Sequence, residues 1–361
     1  MIYPDRKSIN MKNILFDCER MKYRNTGLYH YCLNLGSQLQ KLADPLSEQL
    51  TFYRPENAQG LFKEPNRPVI QNSLHKFYMP DTGSYDIWHA TYQNTAYLPK
   101  RNKRIKVVLT IHDLNFIYDD KKSAAKKQRY LRHLQGNVDR SDAIVCISDF
   151  CKADVLHYCD TGNKPIHVIH NGTNTLIQPT LTPRSYKPSK RFLFSIGVLT
   201  RKKNFHALLS LLQNDDMELL IAGRCDDPGY LNYLLDTASY LGVEKNLHVL
   251  GAISETEKSW YFENCYAFAS PSVAEGFCMP VTEAMSVGKP LFLSSRTALP
   301  EIGGKVAFYF SDFDSNNMQN VFLKGMHQYK EMNMEHAIKE RGTSFCWDKA
   351  ARQYLDVYRS L

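Results

Sequence analysis

Two glutamates, Glu275 and Glu283, stand with seven residues between them in SPSVAEGFCMPVTEAMSVGKP, residues 270–290. The segment follows a strand-like apolar run, Pro280 suits the first turn of a helix, and Gly288 suits its end. Glu275 is therefore expected in the loop at the strand's end and Glu283 in the opening turns of the helix. Between them, the backbone amides of Gly276, Phe277, Cys278 and Met279 lie at a helix N-terminus, which favours an anion without needing a side chain. Carboxylates for hydroxyls and amides for phosphate oxygens suit a sugar diphosphate. The competing reading is a pair of solvated glutamates on a helix.

Other groups fit the same chemistry. Arg201 and Lys203 come after a strand and loop and before the apolar face Phe205, Leu208, Leu209 and Leu212. That placement suits neutralising a diphosphate as it leaves; a solvated basic loop is the rival. His112 directly follows the strand VVLTI, at the carboxyl edge where α/β sites gather, unless Asp113 simply holds it in the core. Gly27 stands where a side chain would block close approach of backbone to a diphosphate, or marks only a tight turn. His89, closing DIWH, either lines the cleft or is a satisfied histidine behind it. The acidic pairs Asp119–Asp120 and Asp226–Asp227 lack metal-site spacing, so no metal and no cofactor is expected.

These residues need a scaffold, and the apolar pattern supplies one. Strand-like runs at 12–17, 49–53, 86–89, 106–111, 143–147 and 166–169 alternate with helical patterns near 26–42, 123–138 and 149–158. The second half repeats the plan, with strands at 191–197, 217–223, 247–251, 267–272, 289–295 and 307–310. Its helices are expected near 203–213, 228–241, 255–262, 280–287 and 315–331. Such alternation predicts parallel sheets wrapped by helices, as two Rossmann-like doubly wound domains facing a central cleft. Residues 1–175 form the first and 190–345 the second. Residues 176–189, rich in proline and poor in apolar periodicity, read as the linker. The helix expected at 347–361 would pack back on the first domain.

Composition narrows the partners. The chain has 361 residues with 43% apolar and 23% charged, which suits two globular domains. Nine scattered cysteines form no zinc or redox motif, so reduced, buried thiols are expected. No apolar run spans a bilayer, and the N-terminus has no signal-peptide core. A first strand near Lys12 argues for an uncleaved cytoplasmic chain, with residues 1–11 a loose extension or an upstream start. The formal charge of +8 is clustered at 100–106 (KRNKRIK), 121–132, 184–191 and 201–203. No nucleic-acid module accompanies it, leaving a phosphorylated substrate, an anionic membrane face or simply a solvated basic surface, the last being the better reading for 184–191. Residues 121–140 read as a helix in which seven basic groups are interleaved with Tyr130, Leu131 and Leu134. That helix would rest on the cytoplasmic face of the inner membrane, or else simply hold its basic face in water.

EGFCMPVTE at 275–283 resembles the E-x7-E motif of the group 1 glycosyl transferases, glycosyltransferase family 4, usually written EGFGLPxxE. Here Cys278–Met279 replaces Gly–Leu. TGLYHYCLNL (26–35), VVLTIHDLNF (107–116), IVCISDFCKADVL (144–156), VIHNGTN (168–174), FSIGVLTRKKNFHALLSLL (194–212) and LPEIGG (299–304) are similar to further family segments, in the family's order. The resemblance covers roughly residues 12–360 and implies the GT-B fold and a retaining, metal-independent glycosyltransferase. It implies that Glu283 binds the donor's ribose, that Glu275 contacts sugar hydroxyls near the reacting carbon, and that His112 lies beside the donor sugar. Lys203 and either Arg201 or Lys202 would hold the diphosphate, since Lys202 occupies the place of the family's arginine. The HD-L and K-K-N segments resemble those of mannosyltransferases of surface-polysaccharide assembly. GDP-mannose is thus the expected donor, and a glycan or lipid-linked sugar the acceptor. A sugar-nucleotide epimerase of this fold and a silent donor-binding subunit are the alternatives.

Overall fold

The computed structural model describes residues 11–24, 26–63, 67–179, 182–213 and 216–361. The extension expected before Met11 lies outside the described residues. The chain divides into two compact units: the first runs to Gly172 and takes in Cys346–Leu361, and the second is Thr173–Phe345.

In the first unit, β1 (Lys12–Asp17) leads into α1 (Gly27–Leu42), followed by β2 (Glu48–Arg54) and the short β3 (Val69–Ile70). Then come β4 (Ile87–Ala90), β5 (Lys106–Ile111), α2 (Ala124–Arg140), β6 (Ala143–Cys146), α3 (Asp149–Tyr158) and β7 (Ile166–Val168). The strands pair in parallel in the order β3-β2-β1-β4-β5-β6-β7. They are near-continuous apolar runs because both faces of a parallel sheet are covered, and Ile14, Leu15 and Phe16 are fully buried. Thr26, Ser123 and Ser148 cap α1, α2 and α3 by accepting a backbone N–H.

The second unit has β8 (Phe192–Ile196), β9 (Glu218–Ala222), α4 (Pro228–Tyr240), β10 (Leu247–Gly251), α5 (Glu255–Asn264) and β11 (Ala267–Ser270). It continues with α6 (Met279–Ser286), β12 (Leu291–Ser294), α7 (Leu299–Gly303), β13 (Phe308–Phe310), α8 (Ser315–Glu331) and α9 (Glu335–Thr343). Its strands are also parallel, in the order β10-β9-β8-β11-β12-β13. In each sheet the order reverses beside the first strand, at β1/β4 and at β8/β11. Ligands of doubly wound sheets sit at the carboxyl ends of such strands.

The structure departs from the sequence reading in three places. The helix expected at 203–213 is two 3-10 segments, Arg201–Lys203 and Phe205–Leu212. Asn204 separates them in the left-handed region (φ 55°), its side-chain amide donating to the Pro271 carbonyl at 3.2 Å. The segment 176–189 does not behave as a free linker. The Glu257 carboxylate accepts the backbone N–H groups of Arg184 and Ser185 and the Ser185 hydroxyl, and Tyr261 donates to the Tyr186 carbonyl. These contacts make its described part a strap on the second unit, and the hydrogen bonds of Ser185 and Ser254 hold the Glu257 carboxyl down at about 2 against the upward push of burial. Finally, β3, α7 and α9 were too short or too polar to show as periodic patterns.

The last helix, α10 (Trp347–Arg359), belongs to the first unit, where it packs on α1. Its apolar face carries Tyr354 and Tyr358 into a buried polar chain. Tyr31 and Tyr354 hydroxyls meet at 2.7 Å, Tyr354 lies 2.9 Å from the Thr110 hydroxyl, and Thr110 lies 2.8 Å from His89 Nε2. The Tyr358 hydroxyl is 2.6 Å from His89 Nδ1, so His89 is a satisfied core group and does not line a site. At the helix's end Arg359 pairs with buried Glu48 at 2.5 Å.

Burial lowers His89 to about 3, with the neighbouring His112 adding to the effect. The unfolded chain takes up this proton near pH 6.5 while the folded chain stays neutral to about pH 3, so stability falls as pH drops through that window. The thermal midpoint is expected to fall between pH 7 and 4.5, with a shallower fall in His89→Asn. An unchanged pH slope in that variant would remove His89 as the cause.

Candidate active site

At the β8/β11 reversal, two loops cross. The loop after β8 ends in Lys203, and the loop after β11 carries Glu275. The Lys203 ammonium lies 2.5 Å from Glu275 Oε1, with side-chain exposures of 16% and 9%. Burial would raise the Glu275 carboxyl, but the charges of Lys203 and Lys202, with hydrogen bonds from Lys203 and Ser272, outweigh it and hold it below its ordinary value. Thr297 fixes the loop by accepting the Glu275 backbone N–H at 2.9 Å, and Val273 N–H donates to the Lys202 carbonyl at 2.9 Å.

Two glycines, each directly after a strand (β8 and β9), make room for this crossing. A Cβ on Gly197 would come within 2.9 Å of Lys203 Cε, and one on Gly223 within 1.9 Å of the Gly197 carbonyl oxygen. Neither position accepts a side chain without displacing the lysine or the backbone behind it.

Immediately beyond Glu275, the backbone passes Gly276 and Phe277 and enters α6 at Met279. The Phe277 ring packs edge-on against Phe345 at 5.5 Å, within the second unit. Cys278 has φ 73°, the left-handed region that glycine occupies at little cost. This explains the glycine usual at that place in the resembled motif. The Cys278 thiol is turned inward, 3.6 Å from the Ser270 hydroxyl, and burial raises it to about 12, so it is not an active thiolate.

Glu283 lies in the second turn of α6, 2% exposed. Its Oε1 accepts Lys258 Nζ at 3.0 Å and Asn174 Nδ2 at 2.8 Å. Burial would lower the Lys258 ammonium, but Glu283 and Glu255 overcome it and raise it. Sequence reasoning missed Lys258 and Asn174; the NG turn was the available signal for Asn174, while α5, which buries Glu257, Lys258 and Ser259 beside Tyr261 and Phe262, has no amphipathic pattern to mark the lysine.

Arg201 is not brought to the pair. Its guanidinium stacks over Tyr233 of α4 at 4.7 Å and bears on His206, whereas the Lys202 charge reaches Glu275. The structure thus groups the Lys202 charge with Lys203 and turns the Arg201 guanidinium toward α4.

His112 and Gly27 belong to the first unit. His112 directly follows β5 and is 8% exposed; its Nε2 donates to the Thr91 carbonyl at 2.8 Å, and its backbone N–H to Gln93 Oε1 at 3.1 Å. Burial lowers it to about 4, against the pull of Thr91 and Asp113. The ring is therefore neutral near pH 7, with Nδ1 as a hydrogen-bond acceptor. Gly27 is the exposed first residue of α1, and one turn later Tyr31 meets the His112 ring edge-on at 4.6 Å.

Both units of the chain resemble known proteins. Residues 182–341 match the family model "Glycosyl transferases group 1" and residues 45–175 the model "Glycosyltransferase Family 4". The chain is 23% identical to O-antigen chain mannosyltransferase B of Escherichia coli, over 96% of this chain and 100% of that protein. It is 24% identical to the O-antigen chain mannosyltransferase RfbU of Salmonella typhimurium, over 61% and 60%. Against the serotype-specific mannosyltransferase WbdA of Escherichia coli it is 24% identical, but spans only 35% of that protein's length. Among solved structures it resembles sucrose-phosphate synthase from Thermosynechococcus elongatus, with TM-score 0.78, 16% identity and coverage of 97% and 98%. It also resembles Anabaena HepE in complex with UDP and glucose, with TM-score 0.74, 16% identity and coverage of 97% and 100%. Two doubly wound units of GT-B type, each matched by a model of the same enzyme group, lead to one assignment: the chain belongs to the group 1 glycosyl transferases of glycosyltransferase family 4.

Proposed function

We propose that this glycosyltransferase moves a hexose, with retention, from a nucleoside-diphosphate sugar to a glycan or lipid-linked acceptor in surface-polysaccharide assembly. The observation that carries the reading is the part-buried Lys203–Glu275 pair at the β8/β11 reversal, beside the N-terminus of α6. The mannosyltransferase relatives favour GDP-mannose as the donor and count against an epimerase or a silent subunit.

In this reading Lys203, with Lys202, offsets the charge that grows on the leaving diphosphate, and the backbone amides of 276–279 assist. Glu275 accepts hydroxyls of the donor sugar, Glu283 those of the ribose, and neutral His112 accepts a further sugar hydroxyl at Nδ1. Gly27 lets backbone approach the phosphates. The bond from the anomeric carbon to the diphosphate oxygen breaks through an oxocarbenium-like state. The acceptor oxygen bonds on the same face, and its proton passes to the leaving phosphate. No divalent ion is needed where lysines and amides already meet the diphosphate. The work falls at the cytoplasmic face of the inner membrane, where lipid-linked acceptors are presented.

Two outcomes test this. Glu283→Gln, which keeps the side chain's shape, should chiefly weaken nucleotide affinity, while Glu275→Gln should chiefly lower kcat. Wild-type kinetics in either variant would remove that residue's role. Transfer from a sugar nucleotide should also persist in excess EDTA, and strict dependence on Mg²⁺ or Mn²⁺ would contradict the metal-independent mechanism.

A further inference from the structure

The membrane partner expected of residues 121–140 finds little support on α2 itself. Lys122 pairs with Asp119, and Lys127 donates to the Ile117 carbonyl at 2.7 Å. Arg140 donates to the carbonyls of Pro99, Asn102 and Ile105. Among the described residues, no large apolar side chain of 121–140 is exposed.

The exposed apolar groups of the first unit lie elsewhere. Leu74, Phe77 and Tyr78 are 62%, 71% and 71% exposed and follow one another in the loop before β4. Beside them is the most basic run of the chain, KRNKRIK at 100–106, in which Lys100, Arg101, Lys103 and Arg104 are all exposed. The two loops line an open cavity of about 1040 Å³ near the amino ends of β1, β4 and β5, with Lys12, Lys76 and Lys106 also on its walls. The acidic neighbours offset only part of this charge: the lining carries Asp81 and Asp86 against seven lysines and arginines, and Asp142 pairs with Lys106 from outside it.

This platform is built. Asn102 donates to both the Thr82 carbonyl and the Thr82 hydroxyl, tying one loop to the other. Arg140 holds the basic loop from behind through its three carbonyl contacts. The loops are thus fastened through backbone, leaving four basic side chains and three apolar ones turned outward.

We propose that this platform is a docking surface for an anionic lipid bilayer, with headgroup phosphates received by the basic cavity and Leu74, Phe77 and Tyr78 inserted at the interface. Charge alone would serve a soluble anion, but such an anion leaves the three apolar groups in water. A bilayer surface takes both, because aromatic rings settle at headgroup level while lysine and arginine reach the phosphates. The platform lies at the amino ends of the strands, and His112 and Gly27 lie at the carboxyl ends of theirs. Binding there leaves the first unit's share of the proposed site open.

Flotation of the whole chain tests this, and because it reads no chemistry it can fail without touching the transferase reading. Phosphatidylcholine vesicles with and without phosphatidylglycerol, at low salt, are the probes. The wild type should float only with the anionic vesicles. Each basic residue at such a surface is worth about fivefold, so reversing Lys100, Arg101, Lys103 and Arg104 to Glu should weaken binding at least about tenfold. Phe77→Ser with Tyr78→Ser should also weaken it while leaving the charge intact. Reversing Lys126, Arg129 and Arg132 on α2 should have a clearly smaller effect, with all variants showing wild-type circular dichroism. Equal binding to both vesicles, equal loss from the α2 reversal, or binding of a single-stranded oligonucleotide with the vesicles ignored would overturn the proposal.

Discussion

A lysine and a glutamate taken largely out of water, Lys203 and Glu275, are the constraint around which the second unit is arranged. Desolvating two charges costs several kcal/mol per ion, and their attraction offsets that only when further hydrogen bonds satisfy what remains. The structure supplies them from Ser272 and the nearby Lys202 charge, with Thr297 fixing the loop that carries Glu275. Gly197 and Gly223 are consequences of the same geometry, since a methyl group on either would collide with the lysine or the adjoining strand end. A pair this costly, at the point where strand order reverses, is a poor way to gain stability and a good way to hold charge ready for a ligand.

The first unit meets a different demand. Its sheet is completed by a helix from the far end of the chain, and α10 docks through Tyr354 and Tyr358 onto Tyr31, Thr110 and His89. Tyr31 stands at the centre of this, bonding Tyr354 through its hydroxyl and facing His112 through its ring. The packing that secures the last helix therefore also bears on the orientation of the His112 ring. His112 is kept neutral by burial, which makes it a hydrogen-bond acceptor and not a second cation.

What the sequence made legible was local. Glu275 and Glu283 share one strand–loop–helix segment, so their spacing alone places one in the loop and one on the helix. The strands were readable because both faces of a parallel sheet are buried. What was not legible depended on distant partners. Lys258 and Asn174 meet Glu283 from 25 and 109 positions away. Arg201 and Lys202 are neighbours in sequence, yet the short 3-10 turn ending at left-handed Asn204 sends one to Tyr233 and the other toward Glu275. The strap at 184–186 looked like a linker because its stability comes from Glu257, more than 70 positions along.

The central claim is that the charge at the β8/β11 reversal is arranged for a diphosphate. Calorimetric titration with GDP and UDP, each beside its nucleoside, tests it most directly. The double variant Lys203→Met with Glu275→Gln removes both charges and leaves neither buried alone. A charged hydrogen bond contributes about 1.5–3 kcal/mol, so diphosphate affinity should fall at least about tenfold in that variant. Affinity for the matching nucleoside should not change. Unaltered diphosphate binding, or an equal loss for the nucleoside, would contradict the account.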